Sequence, residues 1–169
     1  RLFFDTSLIP WPADLSSYVS LLQLTSYLSS LLNSTLMAMG TIIISVLLSA
    51  FIAYGATRLR FRGKTILISS MLFAYMFPPL MLAIPMAAAF RSIGLGDSLW
   101  GLMIAHLAIS LPLGVWLLWG FFKSMPFDLE EAAMVDGCSQ FGAFFRVVLP
   151  LSAPGLITVG IFSFLLSWA

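Results

Sequence analysis

Few residues in this chain have the type and spacing that catalysis or metal binding requires. His106 is the one histidine and Cys138 the one cysteine, so no second His or Cys can complete a metal site. Gly63-Lys64-Thr65 matches the end of a phosphate-binding loop, but Arg58 stands where that loop needs its first glycine. No nucleophile stands beside a base. The sequence therefore predicts no catalytic, cofactor-binding or metal-binding residue.

A short helix is predicted in the charged segment from Lys123 to Arg146. Asp128 and Glu131 have the spacing of a capping box, in which two side chains satisfy the first amides of a helix. Gly137 is placed to end this helix in the left-handed conformation. The result would be a helix of roughly 12 Å, capped at both ends.

One face of this short helix suits a contact with another protein. Leu129, Ala132 and Ala133 share that face at spacings of three and four residues, and the two alanines allow close approach. Glu130 and Asp136 are expected to leave charge at its rim. Such a helix is typical of elements that bind in a partner's groove. The alternative is a helix lying on the membrane, which would place its acidic side chains against anionic headgroups.

The rest of the chain has the composition of a membrane protein. Hydrophobic residues make up 60% of the sequence and charged residues 9%, against roughly 45–50% and about 25% in soluble domains. The net charge of +1 offers no broad basic surface for nucleic acid. We therefore predict an all-α membrane protein, a polytopic helical bundle. Its uncharged stretches, each long enough to cross a bilayer, are residues 15–57, 65–90, 98–122 and 147–169.

These stretches place a transmembrane domain at residues 34–169. Residues 1–33 contain several serines and two early prolines, and we interpret them as an extracytoplasmic or interfacial segment. One short helix is expected there after Asp14, and Asn33 is expected to cap the first span. The spans are predicted at about 34–56, 66–90, 99–121 and 154–169, with residues 123–150 forming the last loop.

The distribution of Lys and Arg predicts which loops share a side of the membrane. Residues 58–64 carry four of them, residues 123–146 carry two, and residues 91–97 carry one. Positive residues in short loops remain in the cytoplasm. The first and third loops are therefore expected to be cytoplasmic, and the N-terminal segment to lie outside.

The third loop also resembles a known motif. Glu131-Ala132-Ala133, followed at fixed distances by Gly137 and by Leu149-Pro150, is similar to the EAA loop of ABC importer permeases of type I, the binding-protein-dependent kind. The stretches from Tyr54 to Arg58 and from Gly94 to Leu102 resemble the carbohydrate subgroup that includes the maltose-type permease. The departures from this pattern are Val147 in place of Ile, Cys138 in place of Ala, and Ala169 in place of Asn.

This resemblance implies a type I ABC importer transmembrane domain with six spans, of which one would precede Arg1 and one follow Ala169. It implies a bacterial or archaeal plasma (inner) membrane location and a sugar or related carbohydrate as solute. The implied partners are a second permease subunit, two ATP-binding cassette ATPase subunits and an extracytoplasmic solute-binding protein. ATP and Mg would be bound by the ATPase subunits, so this chain would not be an enzyme. The residues implied in ATPase coupling are Glu130, Glu131, Ala132, Ala133, Asp136, Gly137, Leu149 and Pro150, with a break at the last two.

Prolines within the predicted spans indicate where a translocation path would lie. Pro78-Pro79 is expected to remove backbone donors in mid-span, and Pro112 to interrupt the third span. Freed carbonyls at membrane depth are tolerated where other helices or a water-filled cavity satisfy them. The alternative for the prolines is that they are ordinary kinks. The alternative for His106 is a hydrogen bond to a neighbouring helix. The residues predicted to border the path are Tyr75, Pro78, Pro79, His106 and Ser110.

Two other classes of membrane protein stay open at this point. A secondary transporter needs an ionisable residue within a span, and His106 alone qualifies. Uptake driven by a proton gradient would favour that class. A membrane-embedded enzyme needs convergent polar groups within the spans, and turnover by the isolated chain would favour it.

Overall fold

A computed structural model describes residues 16–23 and 25–168, and within these ranges the regular structure is helical throughout. The predicted all-α fold is confirmed. The rest of the N-terminal segment, including Asp14, lies outside the described residues. The helices are α1 Ser16–Gln23, α2 Thr25–Arg58, α3 Lys64–Tyr75, α4 Pro79–Ser92, α5 Leu99–Ser124, α6 Asp128–Val135, α7 Gln140–Leu151 and α8 Ala153–Ser167.

Helices α2 and α5 are each long and apolar enough to cross a membrane. The expected short helix after Asp14 is α1, but α2 begins at Thr25 rather than near residue 34. Asn33 consequently lies inside α2, and its predicted role as a cap was wrong. No glycine or proline stands between Pro12 and Gly40 to break the helix, so α2 continues through this polar stretch.

Residues 66–90, predicted as one span, form two short helices that meet at 97°. Pro78 is extended, with φ −59° and ψ 121°, and Pro79 is the first residue of α4. A residue before proline avoids the helical conformation, and proline suits the first helical position because no amide is needed there. The two prolines therefore begin a helix instead of removing donors within one. Pro112, in contrast, lies inside the continuous α5 and does not interrupt it.

Helices α7 and α8 also meet at a sharp angle, 74°. The predicted break at Leu149-Pro150 was wrong, because the bend comes after Leu151. A π-helical turn, Phe144–Val148, precedes the proline. Ser152 then lies fully buried at the bend, and its hydroxyl donates to the Val148 carbonyl at 2.6 Å.

The interior of the molecule lies where α2, α5 and α8 pack together. Small residues allow this close packing: a Cβ added to Gly114 of α5 would stand 2.5 Å from the Ser49 hydroxyl of α2. The buried Ser45 hydroxyl joins all three helices, since it lies 3.2 Å from that of Ser110 and 3.0 Å from that of Ser163. At the end where α6 emerges, the core becomes aromatic.

Candidate functional site

Helix α6 is held at its start by backbone bonds rather than by a capping box. The residue before the helix is Phe127, whose carbonyl accepts from the amides of Glu130 at 2.9 Å and Glu131 at 3.1 Å. No side chain caps this end, so the predicted pairing of Asp128 with Glu131 was wrong. The acidic residues still lie in the first turn, where the helix dipole favours negative charge.

The other end of α6 is capped as predicted. Gly137 has φ +89°, and its amide donates to the Met134 carbonyl at 3.1 Å. The next amide, that of Cys138, donates to the Ala133 carbonyl at 3.0 Å. These two bonds form a Schellman motif. Ser139 then accepts from the Gly142 amide at 3.1 Å and starts α7, so the chain turns sharply between the two helices.

A buried ion pair connects α6 to α2. The Glu130 side chain is 2% exposed and the Arg58 side chain 8%. Glu130 Oε1 accepts from Arg58 Nε at 2.6 Å and lies 2.6 Å from Arg58 Nη2. The Tyr54 hydroxyl donates to Glu130 Oε2 at 2.9 Å. The sequence predicted Glu130 at the rim of an outer face, and this was wrong. Its side chain points into the protein.

Aromatic rings surround this ion pair and keep it out of water. The Arg58 guanidinium lies 5.3 Å from the centre of the Phe127 ring, a cation–π distance. The Tyr54 ring lies 4.4 Å from that of Phe144 in the π-helical turn and 6.2 Å from that of Phe122 in α5. The site thus brings together residues from α2, α5, α6 and α7.

The outer surface of α6 is apolar with an acidic edge. Leu129, Ala132 and Val135 are exposed at intervals of three residues, and Val135 reaches 86%. Ala133, predicted to share this face, is half-buried. Sequence reasoning missed Val135, although its spacing from Ala132 carried the signal. Glu131, Asp136, Gly137 and, at the start of α7, Phe141 are exposed as well.

Leu149 and Pro150 lie away from this outer face. Leu149 is half-buried against the aromatic core, and Pro150 is exposed in the last turn of α7. The structure therefore separates the predicted coupling residues into three groups. One is the exposed face of α6, one is the buried Glu130, and one is the end of α7.

The residues predicted to border a translocation path are also separated. Tyr75 and Pro79 line a cavity of about 20 Å³ between the α3–α4 bend and α5, and Pro78 is exposed beside them. Ser110 is 3% exposed and is bonded to Ser45 inside the bundle. His106 is half-buried, and no hydrogen bond joins it to any described residue. The expected bond to a neighbouring helix is not made within the part of the chain that the structure describes.

The ion pair also tests the predicted arrangement of the loops. Arg58 ends α2 and Glu130 lies in the first turn of α6, so the first and third loops lie at one end of the bundle. Residues 91–97 lie at the opposite end, because α5 runs from them to the third loop. This arrangement is the one that the distribution of Lys and Arg predicts.

Comparison with known proteins identifies a family and relatives to which this chain is similar. Residues 45–169 match the family described as binding-protein-dependent transport system inner membrane component. The trehalose transport system permease protein SugB of Mycobacterium tuberculosis is 38% identical over 97% of this chain and 60% of its own length. The alpha-glucoside transport system permease protein AglG of Rhizobium meliloti is 32% identical over 99% of this chain and 45% of its own.

A solved structure is also similar to this chain. It is that of a bacterial ABC transporter involved in the import of the acidic polysaccharide alginate, with a TM-score of 0.82 and 25% identity. The match covers 95% of this chain and 56% of the solved chain. This chain spans between about two-fifths and three-fifths of the length of these proteins. It is an integral membrane protein, and it belongs to the family of binding-protein-dependent transport system inner membrane components.

Proposed function

We propose that this chain is part of the membrane-spanning domain of a permease subunit in an ATP-driven importer of a sugar or related carbohydrate. The family match supports the transport role, and the solute class follows the substrates for which the relatives are named, trehalose and alpha-glucosides. In this proposal the protein is multi-pass and lies in the bacterial or archaeal plasma (inner) membrane. The loop at residues 58–64 and α6 then face the cytoplasm, because positive loops remain there.

The observation that carries this proposal is the geometry of α6. This helix is short, is capped by Gly137, and presents Leu129, Ala132 and Val135 outward while Glu130 fastens its inner side to α2. A small apolar face on a rigid support suits a groove in a partner protein. We propose that an ATPase subunit supplies this groove.

The partners follow from the same proposal. A second permease subunit completes the path, two ATP-binding cassette subunits bind ATP and Mg, and an extracytoplasmic solute-binding protein delivers the solute. ATP hydrolysis then belongs to the partner subunits, and this chain supplies no catalytic residue. Tyr75, Pro78 and Pro79 border the solute path at the α3–α4 bend, where the small cavity lies.

The experiment compares Ala132→Leu with Ala88→Leu in the full-length protein, expressed with its ATPase and second permease subunits. Ala132 lies on the exposed face of α6, and Ala88 is exposed on α4 towards the opposite end. Extra side-chain volume at a packed contact costs about 1–3 kcal/mol, so Ala132→Leu should lower ATPase co-purification about tenfold. Ala88→Leu should keep normal co-purification.

Membrane levels of both variants are measured by blotting, and uptake of labelled trehalose and maltose is measured in cells. Equal co-purification for wild type and Ala132→Leu would exclude α6 as the ATPase contact. Absence of any ATPase from the purified wild-type complex would overturn the importer proposal itself.

A further inference from the structure

We infer that Tyr54 and Arg58 are positioning residues that connect α6 to α2, so that α2 moves with α6 when an ATPase acts on it. This inference rests on the proposed function, since it takes α6 to be the ATPase contact. It gives Glu130 a different role from its neighbours on α6. Glu130 transmits movement inside the chain, while Glu131 and Ala132 face the partner.

The first step is the way in which the Glu130 carboxylate is held. Both oxygens of Glu130 are bonded, Oε1 to Arg58 and Oε2 to Tyr54. Tyr54 and Arg58 are four residues apart on α2, so they lie on one face of that helix, one turn apart. Two bonds from one rigid face fix the direction of the carboxylate as well as its distance. A displacement of α6 therefore either moves α2 or breaks both bonds.

The second step is that Glu130 is the residue of α6 that reaches α2, while the other contacts of α6 are with α7. Leu129, Glu131, Ala132 and Val135 are exposed, and Ala133 and Met134 are only half-buried. Glu130 is the fully buried member of the helix. Within α6, the side chain that bonds to the long helix α2 is thus a single carboxylate, that of Glu130.

The third step is that water cannot replace these bonds. Arg58 and Glu130 are both nearly inaccessible, and Phe127 covers the guanidinium. An Arg that loses its buried counter-ion is left with an unpaired charge in a nonpolar setting. Separating the two side chains while the site stays closed to water is therefore strongly unfavourable.

The fourth step is that Tyr54 extends the connection into the core. Its ring packs against Phe144 of α7 and Phe122 of α5, which are 1% and 0% exposed. A movement of Glu130 consequently reaches three helices through one hydroxyl and one ring. An ion pair with a merely structural role would hold α6 folded but would not set how much solute moves for each ATP hydrolysed.

The experiment measures the ratio of solute transported to ATP hydrolysed. The variants are Glu130→Gln, Arg58→Gln and Tyr54→Phe, each in the full-length permease assembled with its ATPase subunits, second permease and solute-binding protein in proteoliposomes. Trehalose uptake and ATP hydrolysis are measured on the same vesicles, together with the amount of ATPase bound. The matched controls are Asp128→Asn and Arg60→Gln, which change the same charges at exposed positions nearby.

The expected result is a loss of coupling with the ATPase still bound. Trehalose transported per ATP should fall about tenfold in Glu130→Gln and Arg58→Gln, and about threefold in Tyr54→Phe, in line with the bonds removed. The controls should keep the wild-type ratio. Arg58→Glu combined with Glu130→Arg should recover part of the ratio, because the pair re-forms with its charges exchanged.

Two results would overturn the inference. One is a wild-type ratio in both Tyr54→Phe and Glu130→Gln while the ATPase is bound. The other is a loss of bound ATPase in Glu130→Gln that equals the loss in Ala132→Leu, since Glu130 would then belong to the partner contact. If Glu130→Gln does not assemble, Tyr54→Phe decides, because it removes one oxygen atom and keeps the packed ring. Failure of the proposed function looks different, because no ATPase would then bind to the wild-type permease.

Discussion

Two regions of this molecule are held together by different means. At the α6 end, an ion pair and a cluster of rings connect four helices, and Phe122, Phe144 and Glu130 are each at most 2% exposed. In the α3–α4 region, Ile68 is the buried residue of α3, and α4 has none. The first region is fixed by contacts within the chain. In the second, α3 packs on α5 but α4 makes few contacts within the chain, so its shape depends more on local backbone preferences and on whatever surrounds it, lipid or another subunit.

This difference predicts where a mutation acts. Mutations that remove contacts between α2, α5 and α7 should lower the stability of the folded chain, whether or not partners are present. Contacts of α3 and α4 should matter mainly in the assembled membrane complex.

The largest effect is expected from shortening an aromatic side chain in the cluster. Phe144→Ala should lower the free energy of unfolding by about 3–5 kcal/mol, because a buried ring leaves a cavity. Phe73→Ala, on α3 and 75% exposed, should change it by less than about 0.5 kcal/mol. Denaturant unfolding of the full-length protein in detergent, followed by tryptophan fluorescence, measures both. Equal losses for the two variants would remove the contrast between the regions.

An intermediate effect is expected at the end of α6. Gly137→Val places a β-branched residue at φ +89°, which costs about 1–3 kcal/mol, and should loosen the last turn of the helix. Gly137→Asn should loosen the last turn less than Gly137→Val does, because asparagine tolerates the left-handed region. Hydrogen exchange at the amides of Gly137 and Cys138 reports the two bonds of the cap. Unchanged protection in the valine variant would show that the cap does not depend on glycine.

The features that the sequence predicts well are local ones. Gly137 could be assigned from its own residue type and its position after a helical pattern, and the membrane spans of α2 and α5 follow from composition. The preference of proline for the start of a helix could equally have placed Pro79 at the beginning of α4. That signal was present and was interpreted as a mid-span kink.

The features that the sequence does not predict depend on distant partners. Glu130 looks like a surface residue of a short helix until Arg58, 72 positions earlier, is found beside it. From the sequence, Ser110 was predicted to border a water-filled path. In the structure it bonds to Ser45, which also bonds to Ser163. In both cases the environment is set by packing between helices, which spacing within one segment does not reveal.

The smallest effect on stability is expected at the bend between α3 and α4, where the shape should change instead. Replacing Pro78 and Pro79 together by alanine removes the restriction that stops α3 and allows the helix to continue. Stability should change by less than about 1 kcal/mol, because few contacts depend on the bend. The 97° angle should open towards a straight helix.

The matched control is Pro154→Ala at the start of α8. There, the 74° bend is also held by the buried Ser152 hydroxyl and by packing of α8 against α2 and α5, so loss of the proline should leave the angle unchanged. Pairs of spin labels at exposed positions in the full-length protein measure both angles: 67 with 88 for the first bend, 145 with 161 for the second. Since a straight helix rises about 1.5 Å per residue, the first pair should move apart to roughly 30 Å while the second keeps its distance. A first bend that survives without its prolines would mean that contacts, not backbone preference, hold α3 and α4, and the two regions would then be alike.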